Sequence, residues 1–519
     1  MKFRTKIRLI FFVFISLNSI DRLIAQEFNI KDFGAISDGI TLNTYAIQKA
    51  IDYTAAKGGG KVIVPKGIFL TGTVNLKNNI ELHLQEGAIL LGSSNWNDYQ
   101  RAQRWYALIL CNSQNKVKIT GKGTIDGNCI ALVNDIMQKI ADGVIKKPIH
   151  RNRADESVRP QIIEFTRCKN VEIKDITLKD AACWVQTYLN CTDMVFDNVI
   201  VRSFKYWNND GLDISDCKNV VIKNCDINSA DDGICLKSYD ANSRCENIRI
   251  SNCIIRSGSS AFKCGTPSFG GFKDIYVDSL YVYDTDRSVI ALQVVDGGIM
   301  QNVQITNIKS KNTTGSIFIR LGKRNAKGSP GIINGISIKN IDLEVKSHEG
   351  NNPYKIELHK PPASEAGPPK NSLPATLVGL PNFPFKNVTI ENANIHFIGG
   401  GRQSVAQIYT DPIGLSLVPE KEKEYPEIAM FGELPASGFY VRHAKSLSLK
   451  NIQILLEKPD YRYLLLFDDV KNISLDNIFL KNTTSKPVIL FNRVSGQLVK
   501  DVRATDNNGK LILQNPQLQ

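Results

Sequence analysis

A short strand pattern recurs along the chain from about residue 116 onward, and it constrains the fold more than any other feature. Each unit has a polar anchor, an alternating apolar–polar strand, and a second polar residue five positions after the anchor. From residue 170 to residue 302 the anchors follow one another at intervals of 23, 26, 28, 27 and 28 residues. A repeat of this length, built of short strands and turn-prone Asn or Asp, predicts an all-β fold, a single-stranded right-handed parallel β-helix. The pairs of anchor and second residue are Asn170/Asp175, Asp193/Asn198, Asn219/Asn224, Asn247/Asn252, Asp274/Ser279, Asn302/Asn307, Gly335/Asn340, Asn387/Asn392, Ser446/Asn451, Asn472/Asn477 and Gly496/Asp501.

The length of the chain favours the same architecture. A single hydrophobic core stops growing at roughly 250–300 residues, whereas this chain has 519. A solenoid grows along one axis and avoids that limit. Residues 28–60 precede the repeat and contain a helical pattern that places Ala46, Ile47 and Ala50 on one face. We predict that this helix caps the N-terminal end of the β-helix, and that residues 26–519 form one catalytic domain.

Residues 1–25 have the features of a secretory signal peptide. Four basic residues lie within the first eight positions, an apolar run follows over residues 9–17, and Ala25 ends the segment. A membrane anchor is the alternative, but the apolar run is short and Asp21 follows it. The sequence therefore predicts an exported protein, in the periplasm or outside the cell, that has no membrane span.

The balance of charge suggests an acidic partner, because the formal net charge is +13. An exported protein meets acidic polysaccharide more readily than nucleic acid, so we expect the former and no nucleic acid. The alternative is that the basic residues are solvated surface.

The eleven cysteines do not have the even number and close spacing of a disulfide-stapled scaffold. Cys168, Cys191, Cys217 and Cys245 each precede a repeat unit. We therefore predict free thiols stacked in a buried column. No grouping of Cys and His has the spacing of a zinc site.

Three polar excursions interrupt the repeat, at residues 134–160, 346–384 and 399–437. Long loops on one face of a solenoid often line a binding groove. The alternative is that these loops have no role in binding.

The stretch from Asn208 to Ser238 contains the candidate chemistry. Two matching runs, each an acid and a glycine followed by alternating apolar residues, begin at Asp210 and at Asp232, 22 positions apart. This interval is one coil of the predicted β-helix, and successive coils stack at about 4.8 Å. Asp210, Asp231 and Asp232 should therefore gather in one small patch.

Three close carboxylates suit the hydrolysis of a glycosidic bond, which needs a protonated acid at the leaving oxygen and an ionised base at a water. Ionising every carboxyl group in such a patch costs electrostatic free energy, because the negative charges repel one another. The pKa of at least one of the groups is therefore raised. The alternative is that acids in the turns of a β-helix only cap backbone groups. This alternative is stronger for Asp213 and Asp216 than for the set of three.

These motifs resemble those of glycoside hydrolase family 28, the polygalacturonase-like pectin hydrolases, which have a pectin-lyase-like solenoid. The residues that carry the likeness are NNDGLD at 208–213, where Asn209 stands in place of the family's Thr, and SADDGICLKS at 229–238. ITGKGTIDG at 119–127 and the segment from residue 31 to residue 70 are also similar. The resemblance implies inverting hydrolysis of a pectic polysaccharide without cofactor or metal. It further implies that Asp231 is the general acid and that Asp210 and Asp232 hold and activate the water.

Two motifs of the family are missing from this chain. Ser259 or Ser260 stands where the family has the His of Gly-His-Gly. Ala291-Leu292-Gln293 replaces the Arg-Ile-Lys that grips a uronate carboxylate in the family. The exact sugar at the cleavage site, galacturonate or another uronate, therefore stays open.

Other residues are candidates for binding the substrate. Lys263 and Arg320 are cations that could hold a carboxylate on the outer face of the strands. Trp184 and Gln186 precede Asp210 by about one coil and could supply a sugar platform and a hydrogen bond. Asn208 begins the first acidic motif and is a fifth candidate.

Two other functions compete with hydrolysis. A polysaccharide lyase on the same fold would use a base and a cation near the uronate. A non-catalytic β-helix that binds acidic glycans would explain the missing motifs. In all three cases we expect the protein to act as a monomer on pectin-type polysaccharide or oligosaccharide.

Overall fold

A computed structural model describes residues 26–101, 104–147, 149–150, 153–325, 328–346, 373–401, 410–483, 487–505 and 511–515. The predicted signal peptide and most of the second excursion lie outside the described residues. No helix in these ranges is long and apolar enough to cross a membrane.

The chain folds as an all-β parallel β-helix, as predicted. The strands are β1 Glu27–Asn29, β2 Asp38–Leu42, β3 Gly60–Val64, β4 Gly67–Thr71, β5 Val74–Asn75, β6 Ile80–Leu84, β7 Ala88–Gly92, β8 Gln100–Arg101, β9 Tyr106–Asn112, β10 Asn115–Thr120, β11 Thr124–Asp126, β12 Ile149–His150, β13 Arg153–Ala154, β14 Gln161–Thr166, β15 Lys169–Lys174, β16 Thr177–Lys179, β17 Gln186–Leu189, β18 Thr192–Asp197, β19 Ile200–Ser203, β20 Leu212–Ser215, β21 Lys218–Lys223, β22 Asp226–Ser229, β23 Ile234–Ser238, β24 Cys245–Ser257, β25 Phe262–Ser268, β26 Gly271–Val294, β27 Ile299–Leu321, β28 Ile332–Val345, β29 Ala375–Val378, β30 Phe385–Gly399, β31 Ala436–Asp460, β32 Tyr463–Thr483, β33 Ile489–Ser495, β34 Leu498–Ala504 and β35 Ile512–Gln514. The helices are α1 Thr44–Ala56, α2 Cys129–Ala141 and α3 Pro412–Ser416, with 3-10 turns at Ile30–Phe33, Trp96–Asp98 and Glu156–Val158.

The strands of the coils pair in parallel with the equivalent strands of the next coil, which produces ladders along the axis, whereas β8–β9 and β12–β13 are antiparallel pairs. The ladder that contains the candidate site, ladder 1, begins with β5, β9, β14, β17, β20, β23 and β25. The C-terminal ends of β26 and β27 continue it, followed by β29 and the N-terminal ends of β31, β32 and β33. One buried apolar cluster extends inside the coils from Ile30 to Val494.

The corners of the coils explain the polar anchors. All eleven predicted pairs have positive φ at both residues, a left-handed conformation that Asn, Asp and Gly adopt more readily than other residues. Side-chain amides connect the corners from coil to coil: Asn247 Nδ2 donates to Asn219 Oδ1 at 2.9 Å and Asn252 Nδ2 to Asn224 Oδ1 at 2.8 Å. The repeat therefore encodes backbone turns and the hydrogen bonds that stack them.

Helix α1 buries Ala46, Ile47, Ala50 and Ile51 and packs against β3 in the first coil. This agrees with the predicted capping face, because the apolar side of the helix covers the core of that coil.

The cysteines are free and buried, as predicted. The backbone N–H of Cys168 donates to Cys191 Sγ at 3.3 Å, and that of Cys191 donates to Cys217 Sγ at 3.3 Å. Cys111 Sγ lies 3.5 Å from Cys168 Sγ and extends the column by one coil. The thiols act as small apolar side chains that fit one stacked position.

The third excursion folds over the outer face of ladder 1, and the first contacts residues that precede β17 and β20. The first consists of α2, the β12–β13 hairpin and the turn that leads into β14. The described part of the third packs an apolar set against the outward side chains Phe318 and Tyr440, namely Leu415, Val418, Ile428, Met430, Phe431 and Leu434. We call its residues 410–435 the C-terminal flap.

Candidate active site

The register of β20 and β23 places the two acidic motifs side by side. Leu212 pairs with Ile234, and the backbone N–H of Gly211 donates to the carbonyl of Asp232 at 2.8 Å. Asp210 and Asp232 therefore lie on neighbouring coils, as the one-coil spacing predicts. A Cβ on Gly211 would lie 2.5 Å from Ile227 Cγ2 and 2.7 Å from the carbonyl oxygen of Gly233. Glycine follows the acid because the turns stack too closely for a side chain.

The structure brings the three predicted acids together. One carboxylate oxygen of Asp210, one of Asp232 and Cys235 Sγ lie within 4.8 Å of one another. Asp210 and Asp232 are buried, with 4% and 3% exposure. Asp231 is half-buried, and its Oδ1 accepts a hydrogen bond from the backbone N–H of Asp232 at 3.0 Å. Asp231 is thus the acid of the set that reaches the surface most.

Two buried lysines balance these acids. Lys237 Nζ lies 2.7 Å from Asp210 Oδ2 and 2.5 Å from Asp213 Oδ1, while Lys263 Nζ lies 2.7 Å from Asp232 Oδ2. Asp213 therefore belongs to the charged cluster. The oxygens of Asp210 and Asp232 are close enough to share a cation, and the two ammonium groups already provide positive charge at that place.

The acids of the cluster differ in proton affinity. Burial raises the pKa of Asp210, and it raises the pKa of Asp213 to about 6. Lys237 opposes both increases, and the neighbouring carboxylates Asp231 and Asp232 add to them. Burial would also raise the pKa of Asp232, but Lys263 outweighs it and the pKa is lowered. Asp232 is therefore ionised, while Asp210 and Asp213 together retain a proton more readily.

An aromatic cluster lies beside Lys237, on the N-terminal side of the acids. The Trp184 ring centroid is 3.3 Å from Lys237 Nζ and 5.5 Å from the ring of Trp105. The guanidinium of Arg104 lies 4.0 Å from the ring centroid of Tyr239 and 5.4 Å from that of Trp184. The predicted platform residue Trp184 is thus next to the charged cluster, and its contact with a sugar stays a prediction.

The first excursion is attached to the site through Asn208. Its Oδ1 accepts hydrogen bonds from Arg153 Nη1 at 3.0 Å and from Arg159 Nη2 at 2.7 Å. Arg159 also donates to the carbonyls of Ala182 and Trp207. Asn208 therefore anchors the excursion beside Asp210, and its predicted contact with substrate is untested.

Gln186 does not lie on the outer face of ladder 1. Its side chain is 1% exposed, its Nε2 donates to the carbonyl of Gly211 at 3.2 Å, and its Oε1 accepts from the hydroxyl of Tyr188 at 3.0 Å. Thr187, one residue later, shares the outward row with Asp213. The inward direction of Gln186 disfavours the hydrogen bond to a sugar that we predict from the sequence.

Lys263 pairs with Ala291 on the next coil, and Ala291 pairs with Phe318 on the coil after that. Arg320 follows Phe318 by two residues, so it points outward on the same face, two coils beyond Lys263. It is 1% exposed, because its guanidinium donates to the carbonyl of Gly379 at 3.1 Å and to that of Glu420 at 2.5 Å. Arg320 thus holds the C-terminal flap, and its predicted role in binding substrate is untested.

The C-terminal flap also reaches the coils after Asp232. The Tyr425 hydroxyl lies 2.9 Å from Lys263 Nζ, and Glu427 Oε2 lies 3.2 Å from Arg287 Nη2. At the place of the missing His, the backbone N–H of Ser260 donates to Asp232 Oδ1 at 3.1 Å. A backbone donor therefore contacts the acid on the coil where the family has an imidazole.

Lys237, Arg287 and Tyr425 are not among the residues predicted from the sequence. Lys237 could have been found from the sequence, because it is a charged residue in the otherwise largely apolar strand Ile234–Ser238, and this strand closely follows Asp231 and Asp232. A lysine in such a strand is expected to pair with a carboxylate. Tyr425 carries no such signal, since it meets Lys263 from 162 positions away.

The family model described as "Glycosyl hydrolases family 28" matches residues 56–365. An exo-poly-alpha-D-galacturonosidase of Dickeya chrysanthemi is 26% identical over 392 residues, which are 64% of this chain and 64% of that protein. The match thus spans less than two thirds of that relative. A probable polygalacturonase of Vitis vinifera is 25% identical over 426 residues, 76% of this chain and 78% of the relative.

Two solved structures share the fold. The family 28 exopolygalacturonase of Yersinia enterocolitica has a TM-score of 0.55 at 19% identity, over 93% of this chain and 79% of that one. A hyperthermoactive exopolygalacturonase of Thermotoga maritima has a TM-score of 0.51 at 20% identity, over 72% of this chain and 87% of that one. The family model covers more than half of the chain and includes all three acids. The chain therefore belongs to glycosyl hydrolases family 28.

Proposed function

We propose that the protein is an exported hydrolase that cleaves linkages of galacturonate, or of another uronate, in pectic polysaccharide with inversion. The observation that carries the proposal is the meeting of Asp210, Asp231 and Asp232 in three different environments. Hydrolysis needs a proton donor and a proton acceptor at one bond, and carboxylates in unlike surroundings suit these two roles.

The roles follow from those environments. Asp231 is the acid nearest the surface and is the group we assign to protonating the leaving oxygen. Asp232, which Lys263 keeps ionised, accepts the proton of the water. Asp210, whose oxygen lies within 4.8 Å of an Asp232 oxygen, orients the same water. No cofactor is required for this sequence of steps.

The choice of substrate rests on the relatives and on charge. Relatives that match much of the chain are named as enzymes acting on polygalacturonate, a polyanion. The net charge of +13 favours such a partner. Export to the periplasm or beyond, and action as a monomer without nucleic acid, belong to the same proposal.

The test is the release of reducing sugar from homogalacturonan, rhamnogalacturonan backbones and branched pectic fragments. Wild type is compared with Asp231→Asn and with the control Asp240→Asn, an exposed acid in the turn after β23. We expect release by wild type and by the control, and a loss of about 100-fold or more in Asp231→Asn, because general acid catalysis contributes about 10²–10⁴-fold.

The products separate hydrolysis from its competitors. Proton NMR during the reaction should show inverted anomeric configuration at the new reducing end. Unsaturated, ultraviolet-absorbing products would establish a lyase instead. Binding of oligosaccharide with no turnover would establish the glycan-binding alternative, and full activity in Asp231→Asn would assign the acid to another residue.

A further inference from the structure

We propose that Arg287 binds the carboxylate of a uronate next to the cleaved bond, in place of the strand cations that the chain lacks at Ala291 and Gln293. The inference rests on the proposed function and names the residue that gives that site its preference for acidic sugar.

The position of Arg287 follows from the register of the coils. Gly233 N–H donates to the carbonyl of Ser260 and Arg287 N–H donates to that of Ser259, each at 2.9 Å. Asp231, Ser259 and Arg287 therefore occupy one row on three successive coils. Two coil spacings put the backbone of Arg287 about 10 Å from that of Asp231. If the polysaccharide lies along the axis of the coils, a cation at the position of Arg287 lies beside the sugar next to the one at Asp231.

The other two cations on this side are already engaged. The Lys263 side chain is 3% exposed and its charge is matched by Asp232 at 2.7 Å. Arg320 is 1% exposed, and its guanidinium donates to the backbone carbonyls of Gly379 and Glu420, where the C-terminal flap covers it. The Arg287 side chain, by contrast, is 38% exposed. Arg287 is thus the cation of these three that a ligand can reach.

The partner of Arg287 leaves room for a second carboxylate. Glu427 Oε2 lies 3.2 Å from Arg287 Nη2, and its side chain is 40% exposed. An exposed pair of this kind contributes little to stability. A guanidinium has five N–H donors in a fixed fork, so it can hold Glu427 on one edge and a sugar carboxylate on another. Burial opposes the charge, but Glu427, Tyr425, Asp231 and Asp232 outweigh it and raise the pKa of Arg287, so the group is cationic throughout the working range.

The C-terminal flap explains why the reachable cation, Arg287, precedes Ala291 and Gln293 on β26 and does not stand at either of these positions. Ala291 pairs with Lys263 in the outward row, and Gln293 Nε2 donates to the carbonyl of Pro426 at 3.3 Å. The flap segment from Tyr425 to Glu427 therefore covers the two strand positions. A cation that contacts substrate must then project from an earlier part of β26, at the irregularity in register between Thr285 and Ser288 where Arg287 lies.

The experiment removes the positive charge of Arg287 from the protein and, separately, the carboxylate charge from the substrate. Wild type, Arg287→Gln and Arg287→Lys are assayed on oligogalacturonate and on the same oligosaccharide with its carboxyl groups reduced to alcohols. The control is Arg249→Gln, an exposed arginine on β24. Thermal unfolding verifies that each variant is folded.

We expect wild type to prefer the charged substrate by about 10- to 100-fold in kcat/KM, chiefly through KM, since hydrogen bonds between charged groups have that worth. Arg287→Gln should lose this factor on the charged substrate, keep its rate on the neutral one, and show no preference. Arg287→Lys should recover part of the preference, and Arg249→Gln should match wild type. An equal loss on both substrates would reduce Arg287 to a structural role, and an unchanged preference would overturn the proposal.

A binding measurement separates this proposal from the proposed function. Affinities of both oligosaccharides are measured by calorimetry in the Asp231→Asn background, with and without Arg287→Gln. If wild type hydrolyses nothing, the proposed function fails, yet a preference for the charged ligand that disappears with Arg287→Gln still supports the carboxylate contact. Absence of that preference in the Asp231→Asn variant would overturn the contact even if wild type is an active hydrolase.

Discussion

Replacing Lys237 with methionine removes the ammonium that lies between two buried carboxylates of the cluster. Lys237 Nζ lies 2.7 Å from Asp210 and 2.5 Å from Asp213, and its side chain is 3% exposed. Methionine keeps most of the length and apolar volume of the lysine. The substitution therefore isolates the charge, and it leaves Asp210 and Asp213 close together without the ammonium between them.

The magnitude follows from the burial of the pair. Removing one partner of a buried ion pair costs about 3–5 kcal/mol, and one pKa unit corresponds to about 1.4 kcal/mol. If the carboxylates respond by binding a proton, their pKa values rise by about 2–4 units, divided between the two groups. Burial already raises the pKa of Asp213 to about 6 with the lysine in place. A higher pKa keeps Asp210 protonated to higher pH. If Asp210 orients the water as an anion, the acid limb of kcat/KM should therefore move to higher pH by about one unit or more.

The assay is the pH dependence of kcat/KM for wild type, Lys237→Met and the charge-conserving control Lys237→Arg. The methionine variant should be most impaired at low pH and recover in part at high pH, and the control should keep the acid limb closer to that of wild type. An acid limb at the wild-type pH, with the same loss at every pH, would show that Lys237 acts through packing alone and would refute the electrostatic reasoning.

Two further predictions concern stability. Burial raises the pKa of Glu164 to about 7, above the ordinary value of about 4.3, so the folded state binds this proton more tightly and loses stability as pH rises between the two values. Glu164→Gln should therefore stabilise the protein at about pH 8 by about 2–4 kcal/mol and change little at about pH 4, and equal unfolding temperatures at the higher pH would contradict this. Asn224 has a φ of 56°, donates to Asp197 at 2.7 Å and accepts from Asn252 at 2.8 Å, so Asn224→Ala should cost about 2–3 kcal/mol through lost hydrogen bonds and left-handed strain. In denaturant melts Asn224→Gly should cost less, because glycine keeps the backbone conformation, and an alanine variant as stable as wild type would mean that the corner contributes nothing.

The repeat could be predicted because it reports local backbone conformation. A corner of the coil needs a left-handed residue, and Asn219 and Asn224 meet that need within one short segment. The meeting of Asp210 with Asp232 could be predicted for a related reason. Once the coil length is known, residues one coil apart are neighbours whatever the rest of the chain does.

The direction of a single side chain is harder to predict, as Gln186 shows. Successive residues of a strand point to opposite faces, so an error of one position exchanges core for surface. Thr187 shares the outward row with Asp213, whereas Gln186 hydrogen-bonds Tyr188 in the interior. No apolar alternation in the short β17 strand distinguishes the two directions.

Contacts made by the excursions could not be predicted from the sequence pattern. Tyr425 reaches Lys263, and Glu427 reaches Arg287, through a flap whose path depends on apolar packing against Phe318 and Tyr440. From the sequence alone, the charged residues of the flap indicate only a solvent-exposed segment. The sequence pattern therefore points to the strand residues Lys263 and Arg320 as substitutes for the missing cations, and the structure shows that both charges are engaged.

The charges of the site place a condition on how it binds an acidic polymer. Four carboxylates, those of Asp210, Asp213, Asp231 and Asp232, face only two buried lysines, so this cluster by itself does not attract an anion. Residues 1–25 contain five basic residues and one acidic residue, so residues 26–519 keep a net charge of +9. That surplus can raise the local concentration of a polyanion near the protein, but at a distance it is screened and does not orient a sugar. Orientation requires a short-range cation that a ligand can reach. Arg287 meets that requirement because its ion pair with Glu427 is exposed and leaves other N–H donors of the guanidinium for a sugar carboxylate.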